Sequence, residues 1–153
     1  MRLAVTNDVG DIEKESLKHA IEIANEAHRG QLNKANEPYI AHPMRVMEQV
    51  DSLDEKIVAI LHDVVEKNSQ WSLGRLAREG FKPKIIEAVD AMTRRAGEKY
   101  EDFVSRAAAN PTSRAVKLAD LKDNIHMSHM AGLDDSKYRK AIELVGERHQ
   151  RKN

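Results

Sequence analysis

His62 and Asp63 stand side by side in Leu61-His62-Asp63-Val64-Val65-Glu66. An imidazole next to a carboxylate offers two donors to one divalent ion. Alone the pair says little. Two other segments give it weight: Glu37-Pro38-Tyr39-Ile40-Ala41-His42-Pro43 upstream, and Val116-Lys117-Leu118-Ala119-Asp120-Leu121-Lys122-Asp123-Asn124 downstream. Together they supply a His, a His-Asp pair and an Asp from three separate segments. Such a mixed nitrogen and oxygen set, with positions left open, suits Mn²⁺, Fe²⁺ or Zn²⁺ better than Ca²⁺. A divalent ion held this way activates water and polarises a phosphoryl oxygen. Glu66 lies about one turn past His62, within reach of that water as a general base.

Each residue also has an ordinary use. His42 can fill a helix start, Asp63 can pair with Lys67, and Glu66 can be a solvated helix end. Asp120 lies between apolar neighbours, where a carboxylate needs either a metal or an Arg partner to offset its desolvation.

Helical spacing dominates the segments that must position these groups. Leu17, Ala20, Ile21, Ala24 and His28 make one face, stopped by Gly30. Residues 31–38 read as a polar loop. A second helix starts near His42-Pro43 and buries Val46, Met47 and Val50. Ser52 or Asp54 caps a third, whose inward stripe is Ile57, Ile60, Leu61 and Val64. Ser72 caps a short helix that ends at Gly80, and Pro83 opens the next. After Gly97 comes a segment with Tyr100, Phe103, Val104 and Ala107. Asn110-Pro111 predicts a helix start, followed by Val116, Leu118, Leu121 and Ile125. That helix stacks Asp120 and Asn124 on one face and breaks at Gly132. Asp134 or Asp135 caps a last helix with Ala141, Ile142, Leu144 and Val145. No alternating strand pattern is present. The expectation is a compact all-α helical bundle, one domain over 1–153 with its core at about 12–146.

The bulk numbers agree. A chain of 153 residues fits one domain. Lys+Arg and Asp+Glu are 25 each, so no basic field points to nucleic acid. There is no Cys, which excludes disulfides and thiolate metal sites. Met1–Gly10 shows no apolar leader, and no run approaches the roughly 20 apolar residues of a membrane helix. A cytoplasmic protein is expected.

Four strings in unchanged order carry a family pattern: Ala27-His28-Arg29-Gly30-Gln31, Glu37-Pro38-Tyr39-Ile40-Ala41-His42-Pro43, Leu61-His62-Asp63-Val64-Val65-Glu66 and Val116-Lys117-Leu118-Ala119-Asp120. From about Ala20 to Val145 the chain resembles the hydrolase domain of RelA/SpoT-type alarmone enzymes. It looks most like their small single-domain relatives within the HD-domain phosphohydrolase superfamily. The resemblance implies an all-α fold, one bound Mn²⁺, and removal of the 3′-pyrophosphate of (p)ppGpp to give GDP or GTP and pyrophosphate. It implies that His42, His62, Asp63 and Asp120 hold the metal, and that Glu66 is the first of two acidic residues that position water. Lys34 matches a basic residue facing the nucleotide, Asn124 one that contacts the sugar region, and Tyr138 a substrate-contacting Tyr.

Two positions depart from the pattern. Lys67 stands at the second of the two catalytic positions, where the family usually has Asp; it either holds a phosphate or impairs hydrolysis. Asn33-Lys34 stands where full-length enzymes commonly have Arg-Lys, with the Arg packed on guanine. Two further readings follow: a hydrolase for another phosphorylated nucleotide, such as a nucleoside monophosphate or NADPH, or a module that binds metal and nucleotide without turnover. Lys34, Lys117, Lys122, Arg94 and Arg95 are candidate phosphate contacts. His126 and His129 are expected to form a polar helix face and His28 to be structural, while His19 and His149 belong to no pattern.

Overall fold

The computed structural model describes the backbone of residues 9–152 and the side chains of residues 10–147. Most of Met1–Gly10, and the side chain of His149, therefore lie outside the described residues. In chain order the helices are α1 (Val9–Ala27), α2 (Ala41–Glu48), α3 (Leu53–Leu61), α4 (Val64–Lys67), α5 (Leu73–Arg78), α6 (Pro83–Ala91), α7 (Tyr100–Ala109), α8 (Ser113–Ala131) and α9 (Ser136–Lys152). Among the described residues there is no strand, only an isolated antiparallel bridge between Leu32 and Pro38. No helix among the described residues is long and apolar enough to cross a membrane.

At the centre is α3. Ile57, Val58, Ala59, Ile60 and Leu61 are all buried, so this helix is covered on every side, and α1, α2, α6 and α8 pack against it. Its start is a capping box: Ser52 Oγ accepts from the Glu55 amide at 3.0 Å, and Glu55 Oε1 accepts from the Ser52 amide at 3.1 Å. Asp54 is not the cap. It lies in the first turn and pairs with Lys82 and Lys84.

Two apolar clusters form. The larger joins α1, α2, α3, α5, α6 and the start of α8, with Val46, Ile60, Leu76 and Val89 among its buried members. The smaller joins α7, α8 and α9 through Val104, Ala108, Leu121, Ala141 and Val145. Helix α8 runs between them. Its buried face mixes Val116, Ala119, Leu121 and Met127 with Ser113, Lys117, Asp120, Asp123 and Ser128. Leu118 and Ile125, expected to be inward, are only half-buried. A helix that turns charged groups inward marks the place where the packing serves something other than stability.

Two junctions differ from the sequence expectation, and one narrows it. The third helix does not run through His62-Asp63: it stops at Leu61 and restarts as α4. Helix α8 begins at Ser113, not directly after Pro111. The Asn110 amide oxygen still satisfies the first free N–H groups, accepting from Thr112 and Ser113 at 2.9 Å each. Asp135, not Asp134, precedes α9, where its carbonyl accepts from the Tyr138 amide. Gly132 closes α8 in the left-handed region at φ 69°, as a chain reversal there requires.

Candidate metal centre

The break after Leu61 is what makes the His-Asp pair useful. His62 Nδ1 is 2.6 Å from the Ala59 carbonyl oxygen. A carbonyl only accepts, so Nδ1 carries the proton and Nε2 is left with its lone pair. His42 reaches the same state by another route: its Nδ1 donates to Asp123 Oδ2 at 2.6 Å. Both rings thus present Nε2, and both are 2% exposed. They aim at the same carboxylates. His42 Nε2 lies 2.9 Å from Asp120 Oδ1 and 3.6 Å from Asp63 Oδ2; His62 Nε2 lies 3.2 Å from each of these oxygens.

His42, His62 and Asp63 offer ligand atoms within 4.8 Å of one another, close enough for one ion. Asp120 adjoins them through Oδ1, while Lys117 holds its Oδ2 at 3.2 Å. The donor set fits a divalent ion. Without one, lone-pair nitrogens would face carboxylate oxygens at hydrogen-bond distance, which needs an extra proton on each ring. A dication supplies that charge directly.

The titration tendencies agree. Burial opposes charge on His62, but the Asp63 and Asp120 carboxylates outweigh it and hold the imidazolium well above its ordinary range. His42 is raised as well, burial being overcome by hydrogen bonds to Asp120 and Asp123. Burial acts to raise Asp63 and Asp120, yet their cationic neighbours pull both below the usual carboxylate range.

Behind the donors runs a charged chain that the sequence reading did not assign. Asp123, which holds His42, accepts from Arg45 Nε at 2.7 Å. Arg45 also donates to Glu37 at 2.9 and 3.2 Å, and Glu37 accepts from Asn33 Nδ2 at 3.1 Å. Asn33 is not turned toward a ligand. Its Oδ1 accepts from the Ala35 and Glu37 amides, so it braces its own loop. Tyr39 donates its hydroxyl to Asp63 Oδ2 at 2.7 Å, and burial and the Asp63 charge push the phenol far up. One signal for Asp123 was available: three residues past Asp120, it shares that helix face. Replacing Asp123 by Asn keeps the shape but removes the charge that orients and enriches His42. Metal affinity should fall about 10- to 100-fold, read by titration of the metal-free protein.

His42, His62, Asp63, Asp120 and Tyr39 floor a cleft of about 270 Å³. Glu66 and Lys67 lie on its wall, as do Asn124, Tyr138, Arg94, Lys117, Tyr100 and Lys137. The last two were missed by the sequence reading. Asn124 Nδ2 donates to the Asp120 carbonyl and Oδ1 at 3.0 and 3.2 Å. Lys34 meets Tyr138 hydroxyl to ammonium, its Nζ also 4.1 Å from the ring centre, so the loop and α9 join near the cleft. Lys67 Nζ lies 5.5 Å from the Tyr39 ring centre. Of the remaining cation candidates, Arg95 pairs with Asp90 and is exposed, and Lys122 lines a different groove with Arg45 and His126. His126 and His129 are both exposed, and His129 bonds Asp135. His28 is buried beneath the cleft, bonded to Gln31 and tilted against Tyr39.

A family model described as an HD domain matches residues 20–128. A guanosine-3′,5′-bis(diphosphate) 3′-pyrophosphohydrolase of Aquifex aeolicus is 28% identical over 123 residues, covering 72% of this chain and 17% of its own. One of the same description from Haemophilus influenzae is 30% identical over 122 residues, covering 72% and 18%. A probable GTP pyrophosphokinase of Mycobacterium leprae is 29% identical over 122 residues, covering 71% and 15%. The chain thus spans less than a fifth of the length of these curated relatives. A solved structure described as a metazoan ortholog of SpoT that hydrolyses ppGpp superposes with a TM-score of 0.70 at 20% identity, covering 95% of this chain and 88% of that one. At that identity the likeness establishes the fold.

Proposed function

Since the chain belongs to the HD-domain family, we propose that it is a metal-dependent phosphohydrolase whose substrate is a guanosine polyphosphate, from which it releases the 3′-pyrophosphate. One observation carries this reading: two imidazole Nε2 atoms and two carboxylates converge on the floor of a cleft whose walls bear cations. The relatives described as ppGpp pyrophosphohydrolases support the choice of substrate.

His42, His62, Asp63 and Asp120 would hold the ion, with Mn²⁺ the first choice and Fe²⁺ or Zn²⁺ compatible with the same donors. When bound, it lowers the pKa of water and polarises the phosphoryl group. Glu66, on the cleft wall and in no ion pair among the described residues, takes the proton from the attacking water. Lys67 adds positive charge on the same wall. Asn124 keeps Asp120 oriented through its amide N–H groups and leaves its amide oxygen for a sugar hydroxyl. Lys34 and Tyr138, joined at the mouth, position the nucleoside.

Asn33 favours a second reading. Because its side chain is consumed within its own loop, no guanidinium stacks on the base from that position, and a different phosphorylated nucleotide remains open. The test is a product assay. Mn²⁺-loaded protein given ppGpp should release GDP and pyrophosphate in a metal-dependent way, and the His62→Ala/Asp63→Ala variant should not. Release from another nucleotide but not from ppGpp would move the assignment to the second reading. No release from any nucleotide, with metal bound, would leave a binding module.

A further inference from the structure

We propose that Lys117 contacts the substrate, donating to a phosphate oxygen in the cleft as well as anchoring Asp120; this rests on the phosphohydrolase reading above. Lys117 is 3% exposed, yet it lines the cleft. An ammonium withdrawn from water needs acceptors for three N–H donors. Among the described residues one oxygen serves it, Asp120 Oδ2 at 3.2 Å. On another side stands the Phe103 ring, 4.2 Å to its centre. That face stabilises the charge but takes no strong hydrogen bond. The remaining donor capacity is open to the cleft.

Charge balance makes the same point. Asp120 is one turn from Lys117 on the same helix, so the pairing is fixed by the backbone. Asp120 Oδ1, however, is already engaged by His42, His62 and Asn124. Two neutral imidazoles, two carboxylates and a divalent ion sum to zero. In that state the donor set itself leaves no net counter-charge for the buried Lys117 ammonium, and the further carboxylates, Asp123 and Glu37, are bridged by Arg45 on the Nδ1 side of His42. A phosphoryl oxygen next to the metal position provides one. The other wall cations differ in setting: Arg94 donates to the Glu98 carbonyl and lies over Tyr100, Lys137 lies over Tyr100 as well, and Lys67 is exposed at the rim.

The test uses Mn²⁺-loaded full-length protein and inorganic phosphate, titrated by calorimetry. Lys117→Gln should retain its metal and bind phosphate at least about tenfold more weakly, the scale of one lost hydrogen bond to a charged group. Equal phosphate affinity in the variant would overturn the proposal and leave the hydrolase reading standing. Loss of metal from the variant would also overturn it, reducing Lys117 to a positioning residue for Asp120. A wild-type protein that binds no phosphate at all would overturn both readings together. If Lys117→Gln fails to fold, the wild type decides. In the Zn²⁺-loaded form, the buried lysine Nζ signal in an NMR correlation spectrum should shift on adding phosphate. A signal that does not move would overturn the proposal.

Discussion

Asp120→Ala should lose both the metal and product release, with activity falling by more than the ~100-fold that a missing outer-shell partner costs. The reason is geometric. Asp120 Oδ1 is the point at which His42, His62 and Asn124 meet, so its removal leaves both imidazoles facing one carboxylate. Thermal stability gives an independent readout. An ion that binds only the folded protein raises its Tm. Mn²⁺ should therefore raise the wild-type Tm and leave the Asp120→Ala Tm unmoved. Metal content equal to wild type in the variant would remove Asp120 from the ligand set.

The same cluster sets a pH dependence with a definite sign. In the metal-stripped protein, His42 and His62 have raised pKa values. Their stabilising contribution is complete below the ordinary value of 6.5 and is lost as pH rises through the raised values. The depressed Asp63 and Asp120 contribute above the ordinary value of 3.8 and lose that contribution as pH falls through their lowered values. Metal binding displaces the two imidazole protons, so affinity rises with pH. The Tm gain from Mn²⁺ should accordingly be larger at about pH 8 than at about pH 6. A gain independent of pH would mean that the imidazoles are already neutral before the metal arrives.

Helix periodicity made the fold legible, because most apolar residues serve one packing face. Ser52, Ser72, Pro83 and Gly132 mark the element ends they were expected to mark. What periodicity could not see was side chains taking over backbone work. The α3 break depends on His62 Nδ1 bonding the Ala59 carbonyl, and the residue pattern Ile-Leu-His-Asp-Val-Val is equally good for an unbroken helix. The fate of Asn33 was hidden for the same reason: a short amide that braces a loop reads like one that faces a ligand. Lys117 was one of five candidate phosphate contacts that residue type could not rank, since most lysines are solvated. It stood apart from the other four once α8 was found with its charged face inward. The proposed metal ligands, by contrast, stood out as residue types, whereas Asp123, Arg45 and Glu37 needed the fold to join them.

Lys67→Asp distinguishes a working cleft from a degenerate one. Lys67 lies on the cleft wall, exposed, with its ammonium over the Tyr39 ring, and among the described residues it makes no ion pair with a carboxylate. Tyr39 in turn donates to Asp63, so this cation stands one tyrosine away from the metal donors. At that place a positive charge serves a polyanion better than it obstructs water, because in the proposed mechanism Glu66 already accepts the proton. Reversing the charge should raise KM for ppGpp by about tenfold or more, as loss of a charge-assisted contact predicts, with kcat little changed. Lys67→Gln should fall between. The salt dependence of kcat/KM should flatten in the same order, since the lost attraction is electrostatic. A large rise in kcat for Lys67→Asp would reverse the argument. It would mean that the second carboxylate is needed for the chemical step, and that the natural Lys holds the protein in a binding role.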